Sequence, residues 1–391
     1  MLSALDASPA QNWTRLDGVD LLRGLAIFFV LMNHVNMQLL FAHVPYTKGL
    51  PLQLVYSLVW NGQLGVQIFF AVSGFLITST TLRRWGSLLQ ISVAGFYRIR
   101  FARIAPLLLL LLAVLSSLHL AGVEHFVVSQ ETGGLGRALL AALTFHVNYL
   151  EASRNYLPGN WDILWSLSVE ETFYLFFPLI CRFLGRGKFL VPLLLAFVVI
   201  GPFARSVAFN HNEVWREYSY LGGMDAIALG CLTALLIARV RFSRATLWAL
   251  GIAGTATMSL TLFFSLYVYQ WGLGRNGLSM TILTVGACMV IAVAAQTEWR
   301  ASNLLSLVLA PILRMGQRSY EVYLTHMFIV LGVFQIFLAM GKPLRLVPVL
   351  FLTVIVLAGL LGELVARFYS EPMNRRLRKH RGLKTLSAER V

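Results

Sequence analysis

The chain has 391 residues, of which 58% are hydrophobic and only 13% are charged, with a mean hydropathy of +0.71. A water-soluble domain carries about a quarter charged residues, so this composition excludes an ordinary soluble fold. Lys and Arg number 32 against 17 Asp and Glu, a formal charge of +15; beside apolar runs along nearly the whole chain, that excess is read against a membrane before nucleic acid.

Residues 1–19 are polar and form a cytoplasmic N-terminal segment, and the apolar run that follows is too long for a cleaved signal. A spanning helix needs about 20 mostly apolar residues. Runs of that kind fall near 21–41, 63–82, 104–121, 163–181, 189–208, 219–238, 245–268, 277–296, 319–340 and 346–368. An eleventh stretch, 135–150, is shorter and holds Arg137, Thr144, His146 and Asn148. Counting it as a span puts the clusters Arg182, Arg186 and Lys188 and Arg239, Arg241 and Arg244 across the membrane from Arg98, Arg100 and Arg103. Leaving it out places 24 basic residues inside and 8 outside, as the positive-inside rule asks. The expectation is therefore an all-α polytopic membrane protein of ten transmembrane helices with both termini cytoplasmic, a single membrane-embedded domain over 1–391. Its longest outer loop is 122–162, with 135–150 lying on or dipping into the membrane. The basic tail 370–391 is expected to sit on anionic lipid headgroups. Cys181, Cys231 and Cys288 lie in apolar runs with neither metal nor disulfide spacing, and read as small core residues.

Ionisable groups within apolar runs are costly and so mark candidate sites. Arg23 and His34 are eleven positions apart on the first helix, three turns plus about 20°, so they share a face about 16 Å apart along the axis. Arg23 then lies near the cytoplasmic surface and His34 past the midplane. Arg98, Arg100 and Arg103 follow among aromatics just before Pro106; Arg100 and Arg103 are one turn apart and suit a multiply phosphorylated ligand. Trp161 and Trp165 suit the interfacial belt, while Glu170 and Glu171 lie two turns further in. Adjacent helical residues diverge by about 100°, so only one of these carboxylates is expected to face a given cavity. Asp225 is an acid of the outer half, His326 lies about 10 Å in from the cytoplasmic side, and both can serve helix–helix hydrogen bonds. Ser73 and Gly74 suit close helix packing or ligand approach. There is no nucleophile elbow, phosphate-binding lysine loop or dinucleotide glycine fingerprint.

Taken in order, Leu16-Asp17-Gly18 to Arg23-x10-His34, Phe69-Phe70-Ala71-Val72-Ser73-Gly74, Arg100-x-x-Arg103-Ile-x-Pro106 and Trp165-Ser-Leu-Ser-Val-Glu170 resemble the acyltransferase-3 family of membrane O-acyltransferases. The resemblance continues through Asp225-Ala226, Ser319-Tyr320-x-x-Tyr323-Leu324-x-His326 and Glu371-Pro372, where the family more often has a basic residue between Glu and Pro. It covers almost the whole chain and matches the stand-alone members, without an extra C-terminal domain. It implies transfer of an acyl group, acetyl foremost, from cytoplasmic acyl-CoA to a sugar hydroxyl of a cell-surface saccharide or lipid-linked glycan at the outer face of the inner membrane. On that reading Arg23, Arg98, Arg100, Arg103 and Ser73 hold the donor, acyl-CoA being a co-substrate and no cofactor or metal being bound permanently. His34 acts as general base or carries a transient acyl group, with Glu170 or Asp225 orienting it. Trp165, Glu171, Tyr320 and His326 support the site. Membrane lipids and the acceptor are the expected partners, and nucleic acid is not. Two alternatives stand beside this: a transporter of a glycan precursor or organic anion, and acylation of a small metabolite.

Overall fold

The computed structural model describes residues 16–184, 189–297, 299 and 303–379. Most of the N-terminal segment, Arg186, Lys188 and the end of the basic tail lie outside the described residues. Among the described residues there are helices and no strands. In chain order they are α1 (Asp17–Phe41), α2 (Leu52–Val59), α3 (Gly62–Trp85), α4 (Val93–Leu120), α5 (Gly134–Leu143), α6 (Val147–Arg154), α7 (Gly159–Asp162), α8 (Leu164–Leu184) and α9 (Leu190–Arg205). Then come α10 (Glu213–Tyr218), α11 (Tyr220–Arg239), α12 (Arg244–Phe263), α13 (Ser265–Gln270), α14 (Leu278–Thr297), α15 (Asn303–Gln317), α16 (Ser319–Ala339), α17 (Val347–Val365) and α18 (Glu371–Lys379).

Among the described residues, nine helical stretches are long and apolar enough to cross a membrane. They match nine of the ten expected runs. The tenth, 189–208, is α9, shorter at 16 residues and so about 24 Å long. The protein is an all-α, multi-pass integral membrane protein. The doubtful stretch 135–150 does not cross: it is split into α5 and α6, and Phe145 between them adopts φ 57°. Ten residues of α5 rise only about 15 Å, half a hydrocarbon core.

α15 is the element the apolar runs did not announce. It carries Pro311 and Arg314 and is 15 residues long, below the length of a span. It nevertheless packs on the start of α1 so closely that a Cβ on Gly316 would lie 1.8 Å from the Asp20 carbonyl oxygen, and one on Gly24 2.1 Å from that of Ile312. α15 runs directly into α16, and Ser319, the first residue of α16, is buried and lines the same cavity as Glu170.

The middle of the bundle is built on a second close crossing. A Cβ on Gly74 of α3 would sit 1.9 Å from the Ile227 carbonyl oxygen of α11, and one on Gly230 2.0 Å from that of Ala71. Small residues here let two backbones approach and leave the neighbouring Ser73 facing a cavity. Gly74→Ala is therefore expected to cost about 1–3 kcal/mol through forced separation of α3 and α11. Gly332→Ala, on α16 with nothing within 4 Å, is expected to be neutral or mildly stabilising. Thermal unfolding of both in detergent measures the contrast, and equal midpoints would contradict it.

Candidate active site

A cavity of about 380 Å³ opens where α3, α4, α8, α16 and α18 converge. Arg23, Arg100 and Arg103, expected as donor-binding residues, all line it, as do Ser73, Tyr320 and Glu170. Arg98 is half-buried on the same helix but is not on the wall. Its step of two residues from Arg100 turns it about 200° away. Arg100 stacks its guanidinium on Tyr174, 3.8 Å from the ring centroid, and lies 5.9 Å from that of Phe96. Such stacking holds the planar group without neutralising it. Arg23 is 13% exposed and pairs with Asp20 at 3.6 Å.

The acidic side of the cavity is also organised. Ser73 and the Tyr174 hydroxyl both donate to Glu170 Oε1. Glu171 lines the cavity together with Glu170, and its buried Oε1 has no hydrogen-bond partner among the described residues. The cavity wraps around α8 far enough to meet side chains 100° apart, which corrects the expectation of a single facing carboxylate.

His34 lies beyond this cavity. Its ring centroid is 5.0 Å from that of His326, so two histidines placed by sequence at different depths meet. Helical rise along each chain segment alone does not predict this meeting, which depends on how α1 and α16 pack. His326 Nδ1 lies 2.7 Å from the Tyr323 carbonyl oxygen. A carbonyl only accepts, so Nδ1 carries the hydrogen and Nε2 holds a lone pair in the neutral ring. That Nε2 is buried with no hydrogen-bond partner.

Tyr323 joins the two regions. Its ring lines the cavity and lies 5.8 Å from His326 and 6.1 Å from Phe69. Its hydroxyl is 2.7 Å from Ser166 Oγ and donates to the Ile163 carbonyl at 3.1 Å. Sequence reading quoted Tyr323 only as a motif letter; the i, i+3 spacing to His326 was the signal that places both on one face. Arg83, Arg84 and Arg378 also reach the cavity and were counted only as topology or tail charges.

Three expected residues are engaged elsewhere. Asp225 is fully buried and accepts from Arg205 at both oxygens (2.8 and 2.7 Å), from Gln67 at 2.9 Å and from Thr281 at 2.7 Å. The structure thus brings it to Arg205, not to an imidazole. Glu170 has Ser73 and Tyr174 as its hydrogen-bond partners in the donor cavity. Trp165 is buried, stacked on Tyr218 with centroids 4.2 Å apart, and is a packing residue more than a belt residue. The three cysteines are free and buried, as expected.

The loop between α4 and α8 buries a cluster of polar groups. Tyr218 donates to Asp162 at 3.1 Å, and Glu151 accepts from the Leu157 amide at 3.0 Å. Burial, with Asp162 nearby, holds the Glu151 carboxyl well above the usual carboxylate range. Both polar atoms of the Asn160 side chain are buried without partners.

The fold is thus a helical membrane bundle with an arginine-lined cavity, and two histidines meet near Tyr323 on its wall. A family model described as an acyltransferase domain matches residues 16–366, and the chain belongs to that acyltransferase-3 family. It is similar to the O-acetyltransferase OatA of Staphylococcus aureus (strain NCTC 8325 / PS 47), 26% identical over 384 residues covering 92% of this chain and 57% of that protein. It is also 27% identical over 332 residues to the peptidoglycan O-acetyltransferase OatA of Listeria monocytogenes, covering 79% of this chain and 48% of that protein. The chain thus spans about half the length of the curated relatives it matches. No solved structure matches it.

Proposed function

We propose that the protein moves an acetyl group from acetyl-CoA, bound in the arginine-lined cavity from the cytoplasmic side of a bacterial inner membrane, to a hydroxyl of a cell-surface glycan on the outer side. The observation that carries this reading is the pair His34–His326 beside Tyr323, which lines a cavity that also holds Arg23, Arg100 and Arg103. Arg100 and Arg103 offer forked donors to the donor's phosphates, and Arg23 adds charge deeper in. The rise of about 16 Å between Arg23 and His34 is of the order of an extended pantetheine arm. That arm brings the thioester past Tyr323 to the histidines.

His34 then removes the proton of the acceptor hydroxyl as its oxygen attacks the thioester carbonyl carbon. The tetrahedral intermediate collapses with cleavage of the carbon–sulfur bond, and the departing thiolate takes the proton back from the imidazolium to leave as CoA. His326, its tautomer set by the Tyr323 carbonyl, positions His34 and receives charge from it. The likeness to peptidoglycan O-acetyltransferases and the polar cluster of Glu151, Asp162 and Asn160 support a glycan acceptor.

The purified protein in detergent, given acetyl-CoA with and without soluble glycan fragments, tests this by release of free thiol. Acceptor-dependent release is expected. Arg103→Gln is expected to raise the KM for acetyl-CoA about 10- to 100-fold, the loss of a charged hydrogen bond, with little change in kcat. An unchanged KM would remove Arg103 from the donor site.

A further inference from the structure

The last apolar span does not end in a loop but continues through a π turn, Ala366–Ser370, into α18. A π turn holds one residue more than an α turn, so everything after it is rotated by about 100° from the face it would otherwise occupy. Pro372 follows directly, where a displaced backbone ladder tolerates its missing N–H. The new direction is held by side chains. Arg318 donates to Glu363 at 2.9 Å before the turn and to Glu371 after it, and the Tyr369 hydroxyl donates to the Pro106 carbonyl of α4 at 3.1 Å.

This bend divides the tail arginines. Arg375 and Arg376 are exposed, and Arg375 is paired with Glu371 at 3.1 Å. Arg378 is turned inward, lines the same cavity as Arg84 and Arg103, and has a buried Nε with no hydrogen-bond partner. Arg84 and Arg103 are the cations that act on it. Three guanidinium groups at one mouth repel each other unless an anion is shared among them, and phosphate oxygens in a plane suit their forks.

We infer that α18 is part of the donor site, with Arg378, Arg84 and Arg103 forming a clamp for a phosphate group at the nucleotide end of the donor. The inference rests on the acyl-CoA reading and extends it from α3 and α4 to the C-terminal helix. The same chemistry could come from a lipid headgroup, and the test separates the two sources.

Full-length protein is placed in nanodiscs of phosphatidylcholine alone and of phosphatidylcholine with phosphatidylglycerol, and titrated calorimetrically with CoA and with pantetheine. Arg378→Gln is expected to weaken CoA binding about 10- to 100-fold in both lipids and to leave pantetheine binding unchanged. Arg378→Lys, which keeps the charge and the fold but not the fork, is expected to recover only part of the loss. Arg376→Gln is expected to bind CoA as the unsubstituted protein does. CoA affinity unaltered by Arg378→Gln and Arg378→Lys overturns the inference alone. A loss seen only with phosphatidylglycerol assigns Arg378 to lipid and also overturns it. Absence of CoA binding by the unsubstituted protein overturns the donor reading and this inference with it.

Discussion

His34→Ala is expected to lower kcat for acyl transfer about 100- to 10,000-fold, the range of a lost general base, while CoA affinity stays within a few-fold of the unsubstituted protein. The separation follows from the layout. Arg23, Arg100 and Arg103, the proposed phosphate ligands, line a cavity to which His34 does not contribute, and Tyr323 of its wall lies beside His326. Removing an imidazole from outside that cavity takes away proton transfer without touching the guanidinium groups. His326→Gln is expected to give a smaller loss, because the partner of His34 is then replaced by a group that still accepts and donates hydrogen bonds. Full transfer activity in His34→Ala would remove His34 from the chemistry. An equal collapse of CoA affinity in that variant would show that the cavity and the histidines are one site.

Asp225→Ala is expected to destabilise the protein by about 3–5 kcal/mol, the cost of leaving one member of a buried ion pair uncompensated. The side chain of Asp225 is 0% exposed and that of Arg205 4%. Arg205 would retain only the Gly222 and Gly277 carbonyls and the Thr281 hydroxyl. Because α9, α11 and α14 are joined at this point, the expected readout is a lowered unfolding temperature in detergent and poor recovery from the membrane. The double replacement Asp225→Asn with Arg205→Gln is expected to be milder, since it removes both charges together. A stable Asp225→Ala protein that has lost acyl transfer would instead restore Asp225 to the catalytic group.

Nine of the ten expected spans were legible because apolar length is a one-dimensional property, and 135–150, set apart from the spans by the count of basic residues, is split into α5 and α6. The cavity wall formed by Arg100 and Arg103 was legible for the same kind of reason: the two are local, one turn apart on one helix. What was not legible depends on which helix meets which. Asp225 has no local partner; its counter-ion Arg205 lies 20 residues earlier and had been counted among outer surface charges. His326 meets His34 across α1 and α16, 292 positions apart in sequence, a contact that no local spacing announces. Arg378 reaches the donor cavity through a π turn, and the adjoining Glu371-Pro372, where the family more often inserts a basic residue, was the one mark of it in the sequence. Glu171 joined the cavity because cavity width is a property of packing, not of helical phase.

The account joins a cytoplasmic donor cavity to chemistry near the outer face. Its central claim is tested most directly in sealed proteoliposomes whose inserted protein has a single known orientation. Acetyl-labelled CoA is supplied only on the side of Arg100 and Arg103 and a soluble glycan acceptor only on the other, and the label is followed into the glycan. Labelled glycan is expected on the far side, lost with His34→Ala and reduced with Arg103→Gln at limiting donor. Labelled glycan that forms only when donor and acceptor are on the same side would contradict transfer through the protein.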